Sequence, residues 1–255
     1  MTAAGLGLLV LTSSAWAEPD PVEIVRREGR AYAVDSGKHL YTEHHVERWE
    51  AGRHVASEVL YKTPTGRLLS RKQIDYRHGV TAPSFSCTDV RTGSLSASRW
   101  TKEGFVLSFR EDRSSPLESA KLEDPGRLVI DAGFDHAVLE SWKQLLAGTT
   151  LKFRFAVPSE LDGFTLTLRK TDIVVEDGRR ILRLRMEPDS IFVSLFADAV
   201  VLDYDLEGTY LRRYVGLSNI KDDEGELRDA RIEFGPLRVR KEVASLLRPA
   251  GGGSR

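Results

Sequence analysis

The sequence predicts a mainly β protein: one large curved antiparallel sheet or half-open barrel, carrying one amphipathic helix. Three observations lead there. Turn signals built from Gly, Pro and Asp recur about every ten residues, the spacing of strands in sandwiches, barrels and large curved sheets. Between those turns apolar residues alternate with polar ones. One segment alone, about 134–147, replaces that alternation with a helical stripe.

The chain opens on an uncharged segment whose apolar run, Leu6 to Leu11, is followed by small residues. Ala15-Trp16-Ala17 fits the small-x-small rule of signal peptidase, so residues 1–17 are expected to be a signal peptide and Glu18 the mature start. A membrane-spanning helix needs roughly 20 apolar residues, and this run is shorter. No cysteine stands near the cleavage point, so an exported, soluble, periplasmic protein without a lipid anchor is expected.

His39 to Trp49 then alternates, with Tyr41, Glu43, His45, Glu47 and Trp49 on one face and Leu40, Thr42, His44, Val46 and Arg48 on the other. Glu50-Ala-Gly-Arg53 and Thr63-Pro-Thr-Gly66 are turns, and Val55–Tyr61 and Leu68–Tyr76 are the return strands of a meander. Further strands are expected near 84–90, 94–100, 105–111, 119–122 and 127–130.

From Phe134 the apolar residues fall at Phe134, Ala137, Val138, Trp142, Leu145 and Leu146, one face of a helix. Asp131 or Gly133 stands at its start, Asp135 and Glu140 sit where the dipole favours negative charge, and Gly148 is placed to end it. Strands resume near 150–157, 165–170, 180–187, 200–204, 209–214 and 229–234. Pro188-Asp-Ser190 followed by Ile191, Phe192, Leu195 and Phe196 suits a short helix at about 190–197, and the same run suits a buried strand. Residues 18–248 read as one domain, and 249–255 as a disordered tail.

Lys plus Arg (37) nearly balances Asp plus Glu (38), which leaves no electrostatic footprint for nucleic acid. A single cysteine, Cys87, cannot form an internal disulfide or a thiolate metal site. Adjacent His44 and His45 point to opposite faces of a strand, and no His pair has chelating spacing, so no metal is implied; a site could assemble only from distant strands. Gly-x-Ser-x-Gly, the phosphate-binding loop and the dinucleotide fingerprint are absent, so no catalytic residue and no cofactor is assigned. The carboxylates Asp203, Asp205, Asp222, Asp223 and Glu224 read as solvated charge at a strand end and a turn, and Arg212-Arg213 as a candidate anion or partner patch.

Gly133-Phe-Asp-His-Ala-Val-Leu-Glu-Ser-Trp142, with Phe153-Arg-Phe155-Ala-Val-Pro158 and Leu211-Arg-Arg-Tyr214-Val-Gly-Leu-Ser-Asn219, resembles segments of uncharacterised exported proteins of Gram-negative bacteria. In architecture the chain also resembles the unclosed β-barrel of the periplasmic lipoprotein carriers of the LolA and LolB type, which shield acyl chains in an apolar hollow. It departs from them before the first strand, where Glu23-Ile-Val-Arg-Arg-Glu-Gly29 is too short for an amphipathic helix. The resemblance implies a non-enzymatic protein binding a lipid or lipoprotein between sheet and helix, with Phe134, Val138, Trp142 and Leu145 lining the site. Two other readings stay open: an envelope protein-interaction module in which the helical stripe is plain core, and a β-rich hydrolase with two carboxylates facing each other across a cleft.

Overall fold

The computed structural model describes residues 22–122, 127–189 and 199–242. The expected signal peptide, the short helix near 190–197 and the tail from 249 lie outside them.

Eight strands form the first meander: β1 (Val22–Ala33), β2 (His39–Glu50), β3 (Arg53–Lys62), β4 (Leu68–Asp75), β5 (Ser84–Asp89), β6 (Leu95–Thr101), β7 (Gly104–Arg110) and β8 (Glu118–Lys121). The chain then crosses through β9 (Leu128–Val129) and two helices, α1 (Gly133–Glu140) and α2 (Trp142–Leu146). A second meander follows: β10 (Leu151–Val157), β11 (Asp162–Glu176), β12 (Arg179–Pro188), β13 (Val200–Asp205), β14 (Leu211–Lys221), β15 (Leu227–Phe234) and β16 (Arg238–Glu242). A 3₁₀ turn, Pro158–Glu160, joins β10 to β11.

All the strands belong to one curved sheet that does not close, running from β8 through β1 to β15 and on to β9. Pairing is antiparallel except for β9, which lies parallel to β10. The first strand is therefore the seam between the two meanders. Its Gly29–Ala33 half pairs with β15 and its Val22–Arg26 half with β16. The interruption, Gly235 to Leu237, falls opposite Arg27 and Glu28, and the Gly235 N–H donates to the Glu28 carbonyl at 2.9 Å.

β1 is where the sequence expectation was thinnest, and the reason is physical. Its inward positions are Val25, Arg27, Gly29 and Ala31, facing Glu47, His45, Glu43 and Tyr41 of β2. One charge and two small residues erase the alternation that marks a half-buried strand. A larger residue at Gly29 would displace Phe234, because a Cβ there would lie 2.7 Å from its ring.

The apolar stripe forms two helices instead of one. Ser141 breaks it with φ −102° and ψ 10°, and its hydroxyl accepts a hydrogen bond from Arg127 Nη2 at 2.5 Å. The stop at Gly148 is as expected, with φ +86° and its N–H donating to the Leu145 carbonyl. At the other end no side chain caps α1. Its position is fixed by contact, since a Cβ on Gly133 would lie 2.0 Å from the Thr81 carbonyl oxygen.

Two apolar clusters fill the concave side. One gathers Tyr41, Val59, Tyr61, Ile74, Phe105 and Leu107 of the first meander around Leu122, Leu128 and Ile130 of the crossing segment. The other sets Val138 and Leu145 of the helices against Phe153, Leu168, Leu182, Leu184, Leu202 and Tyr204. Burying each such aliphatic side chain contributes about 1.5–3 kcal/mol.

Candidate functional site on the concave face

The four residues expected to line a ligand site separate into two pairs. Val138 and Leu145 are 0% exposed and lie inside the second cluster. Phe134 and Trp142 are half-buried at its margin. Phe134 leans on Phe153 with ring centroids 5.9 Å apart, and Trp142 meets the Tyr204 ring edge-on at 5.9 Å. Tyr204 Oη donates to Asp135 Oδ1 at 2.7 Å, which ties α1 to β13. Burial pushes the Tyr204 phenol well above its usual range, and Asp135 adds to that. Leu146, Phe155, Met186 and Leu211 continue the half-buried apolar margin.

A polar and aromatic band, drawn from residues dispersed in the sequence, lies where the first meander meets the crossing segment and α1. The two faces of β2 part as the alternation predicts, and the one carrying Tyr41 and Glu43, with His45, Glu47 and Trp49, is the more buried. Glu43 is 7% exposed and accepts from His45 Nε2 at 2.8 Å. On β4, Lys72 is 4% exposed, and its ammonium donates to both oxygens of Asp131 at 2.6 and 2.8 Å. Burial alone would lower the Lys72 pKa, but the Asp131 carboxylate, joined by Tyr61 and Cys87, holds the ammonium well above its usual range. Asp131 has φ +36°, a left-handed conformation that Asp tolerates better than most residues.

The histidines His54 and His136 come together from 82 positions apart, Nδ1 to Nε2 at 2.9 Å, with His54 Nε2 on Ser57 Oγ at 2.7 Å. His54 stacks on Trp49 at 4.6 Å and lies 4.0 Å from the Tyr76 ring. Burial, then the neighbouring His136, pushes the His54 pKa down to about 3, and burial also lowers His136. Both rings are therefore neutral at pH 7, one donating and one accepting. Among the described residues no three His, Cys, Asp or Glu side chains are placed to hold a metal ion.

The other candidates are spent on structure. Asp203 and Asp205, expected to be solvated, are each 2% exposed. Asp203 accepts from Arg183 and Arg213, and Asp205 from Arg179 and the Glu207 and Gly208 N–H groups of its turn. Arg213 is thereby committed to an ion-pair network with Glu176 as well. Asp222 takes Arg228 and the N–H groups of its own turn. Cys87 touches Ser70 Oγ at 3.3 Å, and burial raises its pKa. Two concavities, of about 270 and 390 Å³, lie away from the helices: one among Arg67, Arg91 and Lys221, the other over Val201 and Val215 between Arg183, Arg213 and Arg231.

Fold and face together define a class: an unclosed, curved antiparallel sheet whose concave side is covered by the crossing segment and two short helices. No protein-family model and no curated protein sequence matches the chain. Among solved structures it is similar to a β-barrel-like protein of the domain of unknown function DUF1849 from Brucella abortus, with a TM-score of 0.49 and 8% identity over 88% of this chain and 99% of that one. It is also similar to a putative outer membrane lipoprotein-sorting protein domain from Vibrio parahaemolyticus (TM-score 0.28, 8% identity, 86% and 85% covered). A LolA superfamily protein from Nitrosomonas europaea is a third (TM-score 0.23, 11% identity, 88% of each chain).

Proposed function

We propose that this chain is a non-enzymatic periplasmic protein that binds a hydrophobic ligand, a lipid or lipoprotein, between the sheet and α1–α2. The observation that carries the reading is the apolar margin around the helices. Phe134, Trp142, Leu146, Phe155, Met186 and Leu211 are only partly buried where they pack against the cluster that holds the helices, and the sheet stays open. An acyl chain laid along them would gain about 25 cal/mol for each Å² of apolar surface removed from water. In this reading Val138 and Leu145 form the floor of the site, and Phe134 and Trp142 touch the ligand. Export rests on the uncharged N-terminal segment and Ala15-Trp16-Ala17. Among the described residues no helix is long and apolar enough to cross a membrane.

Titration with the fluorescent fatty acid cis-parinaric acid tests this, in the wild type and in Trp142→Ala. Binding that weakens at least fivefold in a variant whose melting temperature stays within a few degrees of wild type supports a ligand-contacting Trp142. A variant that loses about 3–5 kcal/mol, as a core aromatic would, with unchanged affinity in the folded fraction refutes it.

The interaction-module reading finds little support at the end of the sheet. β8, an end of the sheet, is four residues long and mostly exposed, and Leu117 just before it is 55% exposed. A strand so short and charged is poorly suited to augmentation by a partner strand.

A further inference from the structure

Arg27 is an arginine in the wrong place for a structural residue. It occupies an inward position of β1, directly across from His45, where the alternation of the strand calls for an apolar side chain. Inward or buried arginines normally sit on a carboxylate, because an unpaired charge removed from water is costly. Among the described residues Arg27 has no ion pair. Its Nη1 makes one long bond of 3.3 Å to the Leu211 carbonyl, and its Nε is buried with no hydrogen-bond partner at all. The guanidinium lies over the Phe234 ring, 4.6 Å from its centroid, and that ring comes close to β1 at Gly29, where a Cβ would lie 2.7 Å from it. The break between β15 and β16 falls opposite it, so no continuous strand covers that part of the β1 edge.

The surroundings say what would complete it. Leu211, whose carbonyl takes the weak bond, and Tyr204, whose hydroxyl feels the Arg27 charge, both belong to the cluster that holds Trp142 and Phe134. The fixed cation thus stands at the edge of the apolar margin, with fork donors unused. We propose that Arg27 receives the anionic end, a carboxylate or phosphate, of an amphiphile whose apolar chain lies along Trp142 and Phe134. The inference rests on the hydrophobic-ligand reading and adds the headgroup charge to it. Arg is suited to the task, since its planar fork pairs bidentately with either oxyanion.

The test compares cis-parinaric acid with its methyl ester at pH 7.5, in the wild type, Arg27→Gln and Arg27→Lys. The acid is expected to bind about tenfold or more tightly than the ester, the gain of a charge-assisted hydrogen bond. Arg27→Gln should bring the acid down to the ester and leave the ester unchanged, while Arg27→Lys keeps part of the difference. Because the guanidinium has no carboxylate partner among the described residues, Arg27→Gln should melt at or above the wild-type temperature. Equal binding of acid and ester by the wild type overturns the headgroup inference and leaves the hydrophobic-ligand reading standing. Failure of both ligands to bind overturns both. Displacement of the acid by millimolar inorganic phosphate alone overturns the amphiphile and reassigns Arg27 to a bare anion.

Discussion

Replacing Asp131 by Asn probes the contact that anchors the crossing segment to the first meander. Asn preserves the size of the side chain and tolerates the +36° φ of this position. What it removes is the charge facing Lys72, whose side chain is 5% exposed and whose ammonium has Asp131 as its carboxylate partner at 2.6 Å. Breaking a buried ion pair from one side costs about 3–5 kcal/mol. The Asn carbonyl still accepts one bond, and the Asp131 side chain is itself 21% exposed, so the lower end, about 3 kcal/mol, applies here. For a chain of this size that corresponds to a melting temperature lower by roughly 6–12 °C. Removing the cation as well, in Lys72→Met with Asp131→Asn, should recover at least about 1 kcal/mol relative to the sum of the single costs. Urea unfolding of the four proteins supplies the cycle. An Asp131→Asn variant within about 1 kcal/mol of wild type, or strictly additive costs, would show that Lys72 does not depend on this carboxylate.

Two further perturbations follow from the same face. The His54 pKa of about 3 lies below the ordinary 6.5, so the unfolded chain takes up the proton first. Stability is therefore complete above pH 6.5 and falls as pH drops toward 3, and the upper part of that fall, down to about pH 5, precedes the main carboxylate range. Between pH 7.5 and 5.0 the wild type should lose on the order of 1–2 kcal/mol, and His54→Gln should lose less than half as much; equal losses in urea unfolding would sink the assignment. Gly133→Ala would place a methyl 2.0 Å from backbone oxygen of Thr81, which cannot yield as a flexible side chain would. It should cost about 3 kcal/mol and shift the Trp142 environment in fluorescence, whereas a melt unchanged from wild type contradicts the close approach.

The meanders were legible because their signals are local. Glu50-Ala-Gly-Arg53 and Thr63-Pro-Thr-Gly66 sit between alternating runs, and β2, β3 and β4 fall within a residue or two of their expected bounds. The helix stripe was legible for the same reason, down to its end at Gly148. What escaped is whatever depends on which strand lies beside which. β1 was missed because its inward face is Val25, Arg27, Gly29 and Ala31, and β16 because it continues β15 past a three-residue interruption. β11 runs to Glu176, well beyond the expected 165–170, because its outer half is a hairpin with β12, where Val175 is 70% exposed and no buried face imposes alternation. The Lys72–Asp131 and His54–His136 pairs span 59 and 82 positions, and their meeting depends on how the crossing segment lies on the sheet. The stripe identified Phe134, Val138, Trp142 and Leu145, but which of them keep open surface is decided by Leu182, Leu184 and Leu202 across the interface. A charge at an apolar-parity position was the available signal for Arg27, and it becomes readable once Val25 and Ala31 are known to face inward.

Native mass spectrometry of the protein purified from a Gram-negative host in detergent-free buffer tests the central claim most directly. A second population is expected, heavier by the mass of a lipid or acyl-bearing molecule, removed by organic extraction and enriched in anionic species. A single ligand-free mass, together with no uptake of cis-parinaric acid by the same preparation, would contradict it.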